Sequence, residues 1–402
     1  MRVSQTEAES SRQPGVELQT AIRPPRDPRI DLARGVALWF IFIDHVGFNP
    51  VAQWTLRRYW FIDALDVFIF LSGYSLGRAY GREFDRSGAK ACLVKALKRC
   101  RTLYLWHVGT ALAFFGLLYT FASYGVRPYP PDLYALLREP WPTCAWLLTL
   151  AHTPHLLNIL PLYMLLTLFT PIALIGFSKW PVRLVTFSVL LYAAVQVYPE
   201  INLRSYPGNT PWPWSVFAWQ FPFLVSLWVG RATAAGKGWR WLDSRRVALG
   251  SLMGLALMFI ARRAVKMGLL LKPYCGAWIA GSLAYLQITL PETNKTTADP
   301  VRLLNLIVFL VAARAVVNWL QLHRRSIFRP VILCGQHSLP VFAAGLFLSD
   351  LFTLMGHAGL RGPLYWVTIN LVGLILLSLV AQIASRVRRM PLTIRVKLAP
   401  RG

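Results

Sequence analysis

The sequence predicts an all-α polytopic membrane protein, a bundle of about ten transmembrane helices with both termini cytoplasmic. Of its 402 residues, 55% are hydrophobic and only 15% are charged, whereas soluble domains carry about 25% charged residues. The apolar residues form stretches close to the roughly 20 residues that a membrane-crossing helix needs. The basic residues lie mainly between these stretches and on one side, which is the pattern that sets membrane topology.

The predicted spans follow one another closely along the chain. With the N-terminus inside, most of the 43 Lys and Arg residues fall in cytoplasmic segments. A further apolar stretch at 274–290 is either an additional span or a re-entrant segment. The spans lie at 34–54, 62–81, 101–122, 156–178, 181–198, 214–232, 247–266, 301–321, 339–357 and 364–386.

The net charge of +26 follows this topology. The basic residues form no long basic face with interleaved aromatic residues, so we expect no nucleic-acid partner. The membrane domain is predicted at 34–386, between a flexible cytoplasmic segment at 1–33 and a basic cytoplasmic tail at 387–402. Five scattered cysteines without a CxxC pair indicate neither a disulfide framework nor a metal site.

The first span carries polar residues on one side. Arg34 and His45 are eleven residues apart, so on one helix they share a face and lie roughly 16 Å apart along the axis. Asp31 and Asn49 fall close to the same line. Asp44 points about 100° away from this stripe, and we expect it to serve another helix or a water molecule. Arg34 is placed at the cytoplasmic edge and His45 near the middle of the bilayer.

The second span brings another carboxylate to a similar depth. Asp66 lies near the outer end of this span, as His45 does in the first, so the two side chains are predicted to pair. A carboxylate beside an imidazole raises its basicity and fixes its tautomer. Gly73 and Gly77 form a small-xxx-small pair that lets a neighbouring helix approach closely.

Ionisable residues are energetically costly in membrane spans and therefore indicate a functional site. Each aspartate near a helix centre costs roughly 3 kcal/mol on insertion scales, and Asp44, Asp63 and Asp66 are close in sequence. A single histidine in a span is often only a hydrogen-bonding residue between helices. His45 has the acidic Asp44 and Asp66 and the basic Arg34 near it, so catalysis or transport is favoured over that structural role.

Several of these segments carry a family resemblance. Arg34 and His45 stand within Arg29-Ile-Asp-Leu-Ala-Arg-Gly35 and Ile43-Asp-His45, and Phe68-Ile-Phe-Leu-Ser-Gly-Tyr74 follows. They resemble the Arg-x10-His and Phe-x-Ser-Gly signatures of the acyltransferase-3 superfamily and, more narrowly, the OpgC family. The other matching segments are Asn158-Ile-Leu-Pro-Leu-Tyr163, Pro207-Gly208, Phe217-Ala-Trp-Gln220, Lys295-Thr-Thr-Ala-Asp-Pro-Val-Arg302 and Ile332-Leu-Cys-Gly-Gln-His-Ser-Leu-Pro340.

The resemblance implies a multi-pass enzyme of the bacterial inner (cytoplasmic) membrane. It implies transfer of an acyl group, typically succinyl, from an acyl-coenzyme A co-substrate to hydroxyls of a periplasmic glucan, with no permanently bound cofactor. In this scheme His45 is the general base, with Asp66 and Asp44 as catalytic carboxylates. Arg34 and Asp31 bind the donor. The expected substrate-binding residues are Asn49, Tyr74, Asn158, Tyr163, Trp219, Gln220 and Lys295.

Two other classes of function remain open from the sequence. A proton-coupled transporter or flippase of a sugar-containing substrate would use Asp44, Asp66 and His45 as a proton relay. A non-catalytic scaffold would associate with the glucan-synthesis machinery. The basic segment 78–101 is either a topology signal or an aid to donor binding. The aromatic residues of the predicted outer loops 127–146 and 206–219 either stack on sugar or form an interfacial belt.

Overall fold

The described part of the protein is almost entirely helical. A computed structural model describes residues 27–126, 138–152, 156–206, 209–237, 240–271 and 294–389, with the side chains of 240 and 265–271 left undescribed. In this part of the chain, sheet is limited to β1 (Arg204–Ser205) and β2 (Thr210–Pro211), which pair antiparallel. The stretch 274–290 lies outside the described residues.

The helices are numbered here in chain order. Short 3-10 turns at Pro50–Trp54, Arg240–Asp243, Leu322–Arg324 and Ser326–Phe328 connect some of them. The α-helices are α1 (Pro28–His45), α2 (Leu56–Tyr59), α3 (Ala64–Ser123), α4 (Pro140–Leu148), α5 (Ile159–Lys179), α6 (Pro181–Val197), α7 (Val216–Ala234), α8 (Arg245–Leu271), α9 (Pro300–Trp319), α10 (Arg329–Gln336), α11 (Ser338–His357) and α12 (Pro363–Arg389).

Helix α1 is shifted relative to the predicted span 34–54. It begins at Pro28 because the Asp27 side chain accepts a hydrogen bond from the Arg29 amide and Pro28 suits the first helical position. It ends at His45, since Asn49 precedes a proline and starts the 3-10 helix instead. The prediction that Asn49 extends the helical stripe is therefore wrong, and the helix continues nearly two turns before Arg34.

The second and third predicted spans belong to one helical element. The 60-residue α3 covers both and is kinked at Gly88, whose φ of 76° interrupts the helical backbone. The basic segment 78–101, expected as a loop, is therefore helical on both sides of the kink. Its Lys, Arg, Glu and Ala residues favour helix even without a membrane around them.

Six of the described helices are long and apolar enough to cross a membrane. Helix α1 is not among them, because its 18 residues include four charged groups. The chain is therefore a multi-pass membrane protein by length and composition, while a count of about ten spans and cytoplasmic termini stay predictions. The six segments are Ala64–Ser123, Ile159–Lys179, Arg245–Ala264, Pro300–Trp319, Ser338–His357 and Pro363–Arg389.

Helix α1 lies at the centre of the bundle, in contact with α3, α10, α11 and α12. Its backbone and that of α10 touch, because a Cβ added at Gly35 would collide with the Val331 carbonyl and one at Gly335 with the Asp31 carbonyl. Phe42 is fully buried in the core that results. The more polar helix is thus shielded from lipid by its apolar neighbours.

The outermost helices present apolar side chains outward. Exposed leucine, valine, isoleucine, methionine and phenylalanine residues line one side of α6, α8 and α12. Such faces suit contact with the hydrocarbon of a bilayer, where an apolar surface carries no penalty. Examples are Phe187 and Leu190 on α6, Met253 and Leu257 on α8, and Ile375 and Ile383 on α12.

The predicted close approach at Gly73 and Gly77 is confirmed. Helix α7 packs against α3 there, and a Cβ at Gly77 would collide with the Leu227 carbonyl. A Cβ at Gly73 would collide with the Ser226 hydroxyl. The glycines therefore let two helices approach closely enough for backbone contact.

We predict that Gly77→Val lowers stability, because the added side chain must separate α3 from α7, an overpacking cost of about 1–3 kcal/mol. Gly109→Val, in the same element, is the matched control, since a Cβ there meets no atom within 4 Å. Thermal unfolding of both variants in detergent measures the difference. Equal midpoints would contradict the contact.

Candidate functional site

Two cavities lie along α1, near residues that the sequence singles out. The first, called the His45 cavity, has a volume of about 360 Å³. It lies where α1 ends and combines six ionisable groups from separate parts of the chain with apolar and small residues. Its lining is Ile41, Asp44, His45, Gly47, Arg57, Asp63, Ala64, Leu65, Leu156, Trp214, Lys295, Asp350 and Thr353.

His45 is the last residue of α1, and its own helix orients the ring. Its Nδ1 lies 2.6 Å from the Ile41 carbonyl oxygen, one turn earlier. A carbonyl can only accept, so Nδ1 carries the proton and donates it, which makes Nε2 the basic nitrogen of the neutral ring. The Ile41 carbonyl thus fixes the tautomer, a role that the sequence predicts for Asp66.

Asp44 also faces the His45 cavity, but its carboxylate turns to the segment that follows α1. Oδ1 accepts a hydrogen bond of 2.5 Å from the Thr55 hydroxyl and lies 3.3 Å from Nε of Arg57. The expectation that Asp44 serves another element is confirmed. Its partners are Thr55, beside a 3-10 turn, and Arg57 in α2.

A network of four charged side chains, three of them buried, closes one wall of the cavity. Arg302 on α9 donates from Nε to Asp66 Oδ1 at 2.7 Å and from Nη2 to Asp66 Oδ2 at 2.5 Å. The same Nη2 lies 3.1 Å from Asp63, which also forms an ion pair with Lys295. Two carboxylates are thus balanced by two cations in a fork geometry that suits arginine.

The predicted pairing of Asp66 with His45 is wrong. Asp66 is only 1% exposed, and both its oxygens face Arg302, with Oδ2 also accepting from the Asp63 amide at 2.7 Å. Asp63 in turn accepts from the Leu65 amide at 3.0 Å, completing a capping box at the start of α3. Asp66 therefore anchors α3 to α9, and Asp63 is the member of the pair that lines the cavity.

Three predicted residues support the wall around Lys295 and Trp214. The indole of the fully buried Trp219 donates to the Lys295 carbonyl at 3.0 Å. The indole of Trp214, whose ring lines the cavity, donates to Asn158 Oδ1 at 2.9 Å. Buried Trp219 has no open ring face to stack on sugar, whereas Trp214 presents part of its surface to the cavity.

The second cavity, called the Arg34 cavity, has a volume of about 340 Å³. Arg34 reaches it from α1 and donates from Nη2 to the Leu71 carbonyl at 3.0 Å and the Ser75 hydroxyl at 2.6 Å. Arg99 lies over the ring of Tyr163 at 5.9 Å. The other lining residues are Phe68, Ser72, Leu76, Ala79, Leu103, Ile159, Leu160, Ser338, Leu339 and Phe342.

One turn of α3 separates the two cavities. Leu65 lines the His45 cavity and Phe68, three residues later, lines the Arg34 cavity. Phe68 stacks on Phe342 with 5.9 Å between ring centroids. The turn from Leu65 to Phe68, called the partition, therefore contributes to the lining of two cavities of different character.

Besides Asp66, Asn158 and Trp219, four more predicted site residues line neither cavity. The amides of Asn49 and Asn370 exchange two hydrogen bonds of 3.0 Å, and Gln220 bonds to Ser188 at 2.6 Å. Asp31 is buried where α1 meets α10, and Tyr74 lies under the guanidinium of Arg78. Asn49 and Gln220 thus join separate elements of the bundle.

Sequence reasoning missed two ionisable residues of the His45 cavity. Asp350 lies within an apolar span, so the same cost argument that singled out Asp44 applies to it. Arg57 falls between predicted spans and carries no comparable signal. Arg302 belongs to one of the family-like segments, and an arginine at the start of a span requires a buried partner of opposite charge.

The comparisons with known proteins gave one match. A family model described as OpgC protein matches residues 26–389, which is nearly the whole chain. No curated protein and no solved structure matches the sequence.

We predict that Arg302→Met lowers the free energy of unfolding by about 3–5 kcal/mol, since it leaves two buried carboxylates without their main counter-charge. The matched control is Arg314→Met on the same helix. Arg314 pairs with Asp243 in an exposed site, where the cost is about 0–1 kcal/mol. Thermal unfolding of both variants measures the contrast, and similar shifts would refute the anchoring role.

Proposed function

The chain belongs to the OpgC family, and on this premise we propose that it transfers succinyl groups from cytoplasmic succinyl-coenzyme A to hydroxyls of a periplasmic glucan. Family membership implies a glucan-modifying acyltransferase in general terms. The choice of succinyl group, the glucan acceptor and the bacterial inner membrane are our proposals.

The observation that carries this proposal is the pair of cavities on α1. A base, His45, lines one cavity, and a cation, Arg34, lines the other. Leu65 and Phe68, one turn of α3 apart, line the first and the second cavity respectively. An enzyme that joins a donor from one side of a membrane to an acceptor from the other needs two such chambers meeting near the reacting atoms. A transporter needs instead one substrate site that alternates between sides.

The distribution of basic residues supports a cytoplasmic position of the Arg34 cavity. Arg99 lines the Arg34 cavity, and a separate groove with Lys90, Lys95, Lys98 and Glu83 in its lining lies on the same element, α3. Basic segments are retained in the cytoplasm. We therefore assign the Arg34 cavity to the donor and the His45 cavity to the acceptor.

In the proposed reaction, Nε2 of His45 removes the proton from a glucan hydroxyl as its oxygen attacks the thioester carbonyl carbon. The carbon–sulfur bond breaks, and the imidazolium returns the proton to the thiolate of coenzyme A. Asp44 and Asp350, which line the same cavity, favour the transient positive charge on the ring. The products are an ester on the glucan and free coenzyme A.

The donor is held at its phosphates. Arg34 and Arg99 are guanidinium groups, which suit phosphate oxygens because of their planar, multiple donors. The slender pantetheine arm would then run beside the stacked rings of Phe68 and Phe342 toward the partition. The aromatic wall and Leu65 keep water from the thioester.

We predict that His45→Ala lowers acyl transfer by about 10²–10⁴-fold, the usual contribution of a general base. Release of free thiol from succinyl-coenzyme A in the presence of glucan measures the rate, and mass spectrometry of the glucan measures the added group. His323→Ala, at a 3-10 turn outside both cavities, is the control and should retain activity. Unimpaired acyl transfer by His45→Ala would refute the role of His45 as general base. Proton-coupled sugar flux without thiol release would favour the transporter function.

For Arg34→Gln we predict a Michaelis constant for the donor that rises by about tenfold or more, because a charge-assisted contact is worth about 1.5–3 kcal/mol. The Michaelis constant for the glucan should stay the same. Steady-state kinetics with each substrate varied in turn makes the measurement. A donor constant equal to that of the unaltered protein would contradict phosphate binding by Arg34.

A further inference from the structure

Phe48 has an unusual backbone and an unusual exposure. It lies three residues after His45, between α1 and the 3-10 helix that follows, with a φ of 60°. A bulky residue seldom occupies this left-handed region, and strain of this kind concentrates at functional positions. The residue is nevertheless 69% exposed, so burial of its ring does not explain the conformation.

Two side chains hold the exposed ring. His357, the last residue of α11, meets it edge to face with 5.5 Å between ring centroids. The guanidinium of Arg361 lies over the ring at 5.7 Å, while its Nε donates to the Gly356 carbonyl at 3.0 Å. The ring is therefore fixed in direction although most of its surface is open.

The ring stands at the edge of the His45 cavity. Gly47, its neighbour in sequence, lines that cavity and donates its amide hydrogen to the Thr353 hydroxyl at 2.8 Å. On α11, Asp350 and Thr353 line the cavity, and His357 follows one turn beyond Thr353 on the same face. Its neighbour Gly47 and its contact with His357 both place Phe48 about one helical turn outside the cavity lining, on the side where α1 ends.

We propose that Phe48, held by His357 and Arg361, is a sugar-binding platform on which one ring of the acceptor glycan stacks. The apolar face of a neutral glucose ring suits an aromatic face, and a chain bound there would lead its next hydroxyl toward His45. This inference rests on the proposed function, because it assigns the acceptor to the His45 cavity. It adds a subsite that the motif residues do not include.

The alternative role for an exposed ring at this level is an anchor in the membrane interface. The two roles differ in what they recognise. An anchor affects insertion and stability and is indifferent to sugar, whereas a platform contributes to glycan affinity even without an acyl donor. Direct binding of a glycan therefore separates them.

The test measures binding of a soluble, β-linked glucose hexasaccharide to the full chain in lipid nanodiscs, without donor. Phe48→Asn removes the ring but keeps a residue that tolerates the left-handed backbone, and we expect its affinity to fall by about tenfold. Phe48→Tyr keeps the ring and should bind within about twofold of the unaltered protein. Trp319→Ala, which removes a 52% exposed ring from the end of α9, is the matched control and should bind normally.

Unchanged affinity in Phe48→Asn, or no hexasaccharide binding by the unaltered protein, would overturn the platform. An equal loss in Phe48→Tyr would do the same, because it would trace the effect to the backbone instead of the ring. Since no donor is present, the result does not depend on acyl transfer. Phe48-dependent binding without thiol release in the separate assay would retain the platform and reject the acyltransferase.

Discussion

The ion network of the buried Arg302, Asp66 and Asp63 with the exposed Lys295 is the constraint on which the site depends. Charged groups inside a membrane protein persist only when they are paired and hydrogen-bonded. Here the pairing joins the first turn of α3 to the first turn of α9 and to the loop before it. Because Asp63 and Lys295 also line the His45 cavity, the groups that anchor the helices also form the wall of the site.

A polar helix at the centre of an apolar bundle is the second constraint. Helix α1 carries four charged residues in 18, so it gains stability from contact with other helices and not with lipid. Backbone contact at Gly35 makes this packing close. A closely held helix keeps Arg34 and His45 in fixed positions, and the hydrogen bond from His45 to the Ile41 carbonyl then fixes the ring. Catalysis by a general base requires this kind of rigidity.

Much of the site is visible in sequence because charge is costly in a membrane. That cost indicated Arg34, His45 and Asp44. In the structure Asp44 and His45 line the His45 cavity, and Arg34 lines the Arg34 cavity. The cost does not say which charge pairs with which, since a partner can come from any helix. The similar depth of Asp66 and His45 therefore predicts a pair between them. In the structure Arg302, 236 residues away in the chain, donates to both carboxylate oxygens of Asp66.

The sequence by itself determined the membrane class and the small-residue contact at Gly73 and Gly77, because these follow from composition and local spacing, and its motifs indicated the family. Only the tertiary structure decided that α1 ends at His45, that Asp66 is an anchor, and that Asp350 and Phe48 lie beside the cavity. The reason is physical. Local spacing fixes which side of a helix a residue occupies, whereas its partner depends on how distant helices pack together.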